Sequence, residues 1–342
     1  MASLSVVIVA HNSAADLARS LPALADELKA GDEVVIVDNA SDDDLAGVVK
    51  ETLPAATILA MGSNAGFAAA INHGSAVTNG DLLLILNPDA KVEPGFGDAI
   101  RKPIDEHPDW AAWMGLVACH EGGKLVVNSW GNPVHFTGIV WAGGHGQPLG
   151  EVGPAGEVPT ASGACLAVRP ESWKRIRGFS ERFFLYHEDV DLSIRLRIAG
   201  EKVGIEPSAV VDHEYEFSGN ELKWFWLERN RWAFIIRCYP TSLLLLLMPA
   251  LLATEIALVA AAAKGGWLGA KLRSWVAVLA WLPGLRHERR YIQARRAISD
   301  REFANWLTPD IDSPFLPEAV SGGPIRKALR AYWRAVLVVL PK

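Results

Sequence analysis

The 342-residue chain has little cysteine: three residues, Cys119, Cys165 and Cys238, with no CxxC spacing among them. That excludes a disulfide framework or a thiolate zinc site and fits a reducing compartment. No Walker-type loop and no GxGxxG follows the first strand-like run, so an NTPase or a dinucleotide dehydrogenase loses its main support. No basic n-region with a cleavage site precedes Leu4, so an export signal is not expected. Internal repeats and low-complexity linkers are missing too. With 50% hydrophobic and 21% charged residues the chain is neither disordered nor a polar linker, and it is long enough for a sizeable core.

The formal charge of -6 conceals a division. Beyond residue 220 there are 18 Lys+Arg against 9 Asp+Glu, and before it 15 against 30. Eight of the 13 tryptophans also lie beyond residue 220. A basic, Trp-rich, apolar half points to an anionic surface as partner. Charge alone admits nucleic acid or membrane, and the apolar content decides for membrane and against nucleic acid. Residues 242–263 carry one ionisable side chain, Glu255, and are long enough to cross a bilayer. Pro249 interrupts that run, and basic residues flank it on both sides, so no orientation follows. Residues 275–285 are too short to span alone. The arginines of 286–296 and the segment 326–340 have an interfacial character. The expectation is a peripheral or re-entrant membrane attachment, or a short hairpin, with a true span over 242–263 as the alternative.

In the first half, short apolar runs alternate with helical patterns. Residues 4–10 are β-branched and continuous, as in a strand buried on both faces. Ser13 is placed to cap a helix reaching about Lys29, with Leu17, Leu21, Leu24 and Leu28 on one stripe. Strands are expected at 34–37, 56–60 and 82–86, with helices around 43–51 and 65–77. This alternation predicts an α/β domain with a mostly parallel sheet, whose ligands bind beyond the carboxyl ends of the strands. The polar clusters His11-Asn12, Asp38-Asn39 and Asn87-Pro88-Asp89 fall at those ends. Residues 103–160, rich in Gly, Pro and Trp, read as loops with short strands. A strand at 164–168, a helix at 191–199 and two short strands at 202–205 and 208–212 follow. The division predicted is a globular domain over 1–220 and a helical, membrane-associated region over 221–342.

Clustered Asp, Asn and His at strand ends have two chemical uses. Hard oxygen ligands hold Mg²⁺ or Mn²⁺ against a diphosphate, and a separate carboxylate removes a proton from an attacking hydroxyl. The turn over residues 62–67 opens a helix bearing Asn72 and exposes backbone N–H groups suited to phosphate. Each feature has a plainer use. Asp38 and Asp89 serve as turn acids, Asn64 and Gly66 as a simple turn, and Glu188-Asp189 as a helix start. His213 is a hydrogen-bonded side chain, and Arg229 and Arg231 are interfacial anchors.

The ordered set from Ser5 to Asn12, Asp38-Asn39-Ala40-Ser41, Asn64-Ala65-Gly66-Phe67, Asn87-Pro88-Asp89 and Glu188-Asp189-Val190-Asp191 resembles family 2 glycosyltransferases. The bacterial rhamnosyltransferase-like branch is the nearest match. The resemblance covers about residues 3–240. It implies a GT-A fold, an inverting single displacement on a nucleoside-diphosphate sugar, and a divalent metal, Mg²⁺ or Mn²⁺. Through it, Ala10, Asn12 and Asp38 match nucleotide-contacting positions, and Asn64, Gly66 and Asn72 the nucleotide and donor side. Asp89 matches the last acid of the DxD metal motif, with Asn87 in place of the first, and His213 a histidine metal ligand. Asp189 matches the catalytic base, with Glu188 and Asp191 orienting it or meeting the acceptor. The run from Glu228 to Trp232 is similar to the QxxRW signature that steadies the leaving diphosphate through Arg229 and Arg231. One apolar span is too little for a polymer channel, so processive synthesis is not expected.

The resulting expectation is a glycosyltransferase at the cytoplasmic face of a bacterial membrane. It takes L-rhamnose from dTDP-L-rhamnose to a polyprenyl-diphosphate-linked saccharide in cell-wall or surface-polysaccharide synthesis. A UDP-sugar donor, a nucleotidyltransferase and a non-catalytic membrane adaptor are the alternatives. The stretch after the first strand reads His11-Asn12-Ser13-Ala14 rather than a basic Gly-rich run, which disfavours the nucleotidyltransferase, and the retained Asp89 and Asp189 disfavour the adaptor.

Overall fold

The computed structural model describes residues 2–214, 221–313 and 323–341. Two compact units divide the chain. The first comprises Met1–Asn132, Ala142–Leu196 and Glu201–Glu216, and the second Pro133–Trp141, Arg197–Gly200 and Phe217–Lys342.

The first unit opens with β1 (Leu4–Ala10), α1 (Ala14–Glu27), β2 (Glu33–Asp38), α2 (Leu45–Thr52), β3 (Thr57–Ala60), α3 (Phe67–Ser75) and β4 (Leu82–Leu86). These strands pair in parallel in the order β3-β2-β1-β4. Every residue of β1 and β4 is buried, which is why both are apolar without alternation. Next come β5 (Ala90–Val92), two short helices α4 (Phe96–Ala99) and α5 (Pro103–Glu106), then β6 (Trp110–Glu121) and β7 (Lys124–Ser129). The sheet then turns mixed. The strand β10 (Cys165–Val168) runs antiparallel to both β4 and β6, while β11 (Lys202–His213) runs parallel to β6 and antiparallel to β5. Between β10 and β11 lie α6 (Pro170–Ile176) and α7 (Glu188–Ile198).

Three expectations change here. The stretch read as loops with short strands contains β6, a central strand twelve residues long. Its first ten residues are all buried, so no alternation marked it in the sequence. The two short strands after α7 are one strand, β11, with register shifts including one between Glu206 and Val210. There the buried Glu206 carboxylate accepts from Ser208 N–H at 3.0 Å, closing the irregularity from within. Ser13 does not cap α1: its hydroxyl donates to the His11 carbonyl, and the Ala14 N–H donates to Asp43 at 2.8 Å.

The second unit holds β8 (Val134–His135), paired in parallel with β12 (Leu307–Thr308), and the helices α8 (Glu221–Cys238), α9 (Thr241–Lys264), α10 (Leu268–Gln293), α11 (Asp300–Ala304) and α12 (Gly323–Val339). The strand β9 (Gly156–Glu157) belongs to the first unit, on the edge of β11. Phe136 stacks on Trp333 at 5.1 Å, and Arg197 lies 3.2 Å over the Trp306 ring, so short segments from the earlier chain are built into the helical unit. The helix α9 is long and apolar enough to cross a membrane by length and composition. Leu243, Leu247 and Leu251 are buried along one of its faces, and Leu245, Met248, Leu252 and Ile256 are exposed along another. The stretch 275–285, too short alone, is the middle of the 26-residue α10.

Candidate active site

At the carboxyl ends of β1 and β2 the chain makes a lattice of amides and hydroxyls. Asn12, at φ 55°, accepts from the Asp42 N–H at 2.7 Å, and its own N–H donates to the Ser41 hydroxyl at 3.1 Å. The Ser41 N–H donates to Asp38 at 2.8 Å. Asn39 donates to the Asn64 side-chain oxygen at 3.0 Å and accepts from the Ala65 N–H at 2.9 Å. Asn64 also accepts from the Gly66 N–H at 3.0 Å. The result is a preorganised polar rim in which Asp38 keeps one carboxylate oxygen without a hydrogen-bond assignment to a neighbour. Ala10 is fully buried and its carbonyl accepts from the Asn39 N–H, so it shapes the rim from below rather than facing a ligand.

Gly66 has φ +85°, and a Cβ there would lie 2.4 Å from the Phe184 ring and 2.7 Å from its carbonyl oxygen. The Ala68 N–H donates to that same carbonyl. Phe184, Tyr186 and His187 all have φ between 66° and 68°, a left-handed run rare outside glycine. Strained backbone therefore rests on the turn before α3 and leads directly into Glu188 and Asp189.

At the β4 end, Asn87, Asp89 and His213 converge. His213 Nε2 is 3.1 Å from Asp89 Oδ1 and 3.3 Å from the Asn87 amide nitrogen. The antiparallel pairing of β5 with β11, which sets His213 opposite Ala90, brings residues 126 positions apart together. One carboxylate, one imidazole and one amide, whose oxygen is presented by a half-turn of the side chain, suit Mg²⁺ or Mn²⁺, so a divalent cation fits this donor set. The field is negative: burial, then the charge of Asp89, pushes the Asp16 carboxyl upward against the pull of Arg19.

Asp189 sits in the first turn of α7. Its carboxylate accepts from the Gly163 N–H at 2.9 Å and from its neighbour Val190 N–H at 2.7 Å. The next residue, Ala164, accepts from the Asn87 N–H at 3.0 Å. Two consecutive residues, Gly163 through its N–H and Ala164 through its carbonyl, thus tie the Asp189 carboxylate to the strand end that carries Asn87. Burial raises the Asp189 pKa while the two N–H groups hold it down. Glu188 is also raised above its ordinary value, by burial and then by the charges of Asp189 and Asp191. Its Oε2 has no hydrogen-bond partner among the described residues.

Four candidates have other occupations. Asn72 clamps residues 179–181: its oxygen accepts from the Phe179 N–H and its NH₂ donates to the Phe179 carbonyl, both at 2.9 Å, and to Glu181. Asp191 is fully buried and accepts from Arg195 at 2.6 Å, so it cannot meet an acceptor; Arg195 in turn holds the carbonyls of Ile176 and Gly178. Arg231, in the second unit, is buried and donates to Glu228, Glu255 and the Thr137 carbonyl, leaving no face for a diphosphate. Lys271, also fully buried, binds both acids, and the Trp275 N–H donates to Glu255 at 2.8 Å. Arg229 donates to Asn230 and lies 4.2 Å over the Trp226 ring. Glu255, read as an isolated charge in an apolar run, is a member of a neutral buried quartet.

Sequence reasoning did not single out Asn39 as the hub of the rim, Gly163 as a base ligand, Asp16 or Lys271. Asn39 stood inside a motif. Gly163 carried no signal, because its role comes from a backbone N–H.

The description Glycosyl transferase family 2 matches residues 5–177, just over half of the chain. The N-acetylglucosaminyl-diphospho-decaprenol L-rhamnosyltransferase of Mycobacterium tuberculosis is 28% identical over 237 residues, covering 61% of this chain and 75% of that one. Rhamnosyltransferase WbbL of Escherichia coli is 29% identical over 75 residues, 22% of this chain and 27% of that one. Among solved structures, GalNAc-T7 with UDP, GalNAc and Mn²⁺ superposes with a TM-score of 0.58 at 16% identity, over 69% of this chain and 48% of that one. A mannosyltransferase of Pyrobaculum calidifontis with GDP-Man and Mn²⁺ gives 0.50 at 22% identity, over 85% of each chain. These likenesses establish a GT-A-like α/β fold with a mixed, largely parallel sheet. With a family match that spans the rim, the cation ligands at β4 and the strand β10, this chain belongs to glycosyl transferase family 2 and is a glycosyltransferase.

Proposed function

We propose that the protein transfers L-rhamnose from dTDP-L-rhamnose, with inversion, to a saccharide hydroxyl on a polyprenyl-diphosphate carrier at the cytoplasmic face of a bacterial membrane. The observation that carries the reading is the link from Asp189 through Gly163 and Ala164 to Asn87, which sets a base and a cation-binding strand end on one short piece of backbone. The rhamnosyl donor and the lipid-linked acceptor are supported by the printed activity of the mycobacterial relative.

The nucleotide lies on the rim of Asn12, Asp38, Asn64 and Gly66, with Asp38 accepting from the base or ribose. Asp89, His213 and Asn87 hold the divalent cation, which when bound supplies positive charge against the donor diphosphate. Asp189 takes the proton of the acceptor hydroxyl as its oxygen forms a bond to the anomeric carbon. The bond from that carbon to the diphosphate oxygen breaks on the opposite face, and the nucleoside diphosphate leaves with the electron pair. Burial and the neighbouring charges of Asp189 and Asp191 favour the neutral form of Glu188 beside the base. Burial makes Asp189 a stronger base than an exposed carboxylate, which suits general-base work near neutral pH.

The test is Asp189→Asn. Calorimetry is expected to give dTDP-rhamnose binding in the presence of Mn²⁺ within a factor of about two of the unaltered chain, while turnover falls by roughly 10²–10⁴. Undiminished turnover would remove Asp189 as the base. Failure of the unaltered chain to bind any of dTDP-rhamnose, UDP-glucose, UDP-galactose or GDP-mannose would remove the donor reading.

A further inference from the structure

The second unit has a groove of about 560 Å³ between α8, α9 and α10, in the size range of small-ligand sites. Trp232, Leu252, Ile256, Val259, Trp275 and Leu279 line it. Glu255 is the one ionisable residue among the lining side chains, and Arg231, Lys271 and the Trp275 N–H already occupy its carboxylate. Two acids and two bases cancel in that quartet, so the groove offers a ligand no net charge. What it recognises is hydrocarbon.

The outer face of α10 adds a direction. Leu272, Val276, Leu279, Pro283, Arg286 and Arg290 recur at spacings of three and four and are all exposed, so they form one stripe. The stripe is apolar beside the groove and becomes basic at Arg286, about 10 Å further along the helix at 1.5 Å per residue. Neither Arg286 nor Arg290 forms an ion pair among the described residues. An apolar seat followed along one face by two free cations complements a ligand with a long apolar tail and an anionic head.

We propose that this groove seats the polyprenyl tail of the acceptor, with Arg286 and Arg290 meeting its diphosphate. The choice of a polyprenyl diphosphate over bulk phospholipid rests on the function proposed above. The seat is a recess, whereas Leu245 and Met248, further along α9, form an exposed ridge suited to ordinary acyl chains.

The experiment measures binding of a long-chain polyprenyl diphosphate in detergent micelles to the full chain by calorimetry. Leu279→Glu and the double variant Arg286→Ala/Arg290→Ala are compared with the unaltered protein. All three positions are exposed, and a thermal melt checks that each variant is folded. Each is expected to bind at least about tenfold more weakly, because one loses the apolar seat and the other the charge pairing. Phosphatidylglycerol at equal lipid fraction is expected not to displace the ligand. Unchanged affinity in Leu279→Glu, displacement by phosphatidylglycerol, or no binding by the unaltered chain would each overturn the seat. Binding does not depend on turnover, so a protein that holds the lipid as described yet transfers no sugar refutes the transferase reading and leaves the seat standing.

Discussion

Glu188 and Asp189 are neighbours in sequence with different surroundings, and the difference lies in the N–H groups each can reach. Asp189 has Gly163 and Val190 to stabilise its anion, whereas the outer oxygen of Glu188 has no hydrogen-bond partner among the described residues. Both are raised above their ordinary values of 3.8 and 4.5. For catalysis the sign is that kcat/KM rises with pH as Asp189 loses its proton, with the acid limb displaced upward from an exposed aspartate. For stability, a group whose folded pKa is raised contributes fully below its unfolded value and loses that contribution as pH rises through the folded one. The melting temperature should therefore fall with increasing pH above about 4.5, and Glu188→Gln should flatten that fall while keeping most of the activity; a series of melts from acid to neutral pH decides it. The residue types of this site were legible in the sequence because they stand in ordered motifs at strand ends. Partners were not: Asn72 meets Phe179, and Asp191 meets Arg195 bound to the loop after α6, through contacts that no local pattern encodes.

Elements set where these residues stand. The turn before α3 and the left-handed run at 184–187 are in contact through Gly66, so a change at the donor rim is felt at the start of α7. Gly66→Ala must either adopt a left-handed φ with a Cβ driven into Phe184 or shift the run. The expected cost is roughly 1–3 kcal/mol in denaturant unfolding, with a larger proportional loss in kcat than in nucleotide affinity. A variant with ordinary stability and kcat would show that the two segments are independent. Elements with amphipathic or β-branched patterns, such as α1 and β1, could be read directly. The strand β6 could not, because it lacks alternation and, unlike β1, carries Trp, Ala, Met and Gly in place of a β-branched run. A buried charge network makes α9 equally hard to read, since Glu255 has its partners on α8 and α10. Removing one member leaves the others uncompensated, so Glu255→Ala should destabilise the second unit by about 3–5 kcal/mol. A Glu255→Gln, Lys271→Met double variant, which keeps the charge balanced, should lose less.

On the scale of the whole molecule, the acidic and basic halves seen in composition correspond only in part to the compact units, because residues 133–141 and 197–200 join the second unit. Composition averages over long stretches and is blind to short segments such as β8, which pairs with a strand more than a hundred residues later. Attachment of the chain to a bilayer, part of the function proposed above, would use the exposed apolar side of α9 and can be checked by flotation with phosphatidylglycerol vesicles. Binding should persist in high salt, where purely electrostatic adsorption is screened. Leu245 and Met248 are 69% and 57% exposed, so replacing both with serine should spare the fold yet lower the floating fraction by roughly tenfold. A chain that stays in solution at low and high salt alike would rule out the membrane reading.

The quartet around Glu255 also orders events during synthesis. Glu255 leaves the ribosome before Lys271, and Trp275 follows it by 20 residues, so α9 first appears with its carboxylate only partly matched. An acid at the centre of a helix opposes insertion, and Arg231, already made, matches this one only in part. The nascent helix is therefore held back from independent entry into the bilayer until α10 has been made and can fold against it. On the proposed membrane attachment, insertion of α9 is expected to follow synthesis of α10, and a ribosome stalled before Lys271 is expected to carry a chain that still partitions with the cytosol.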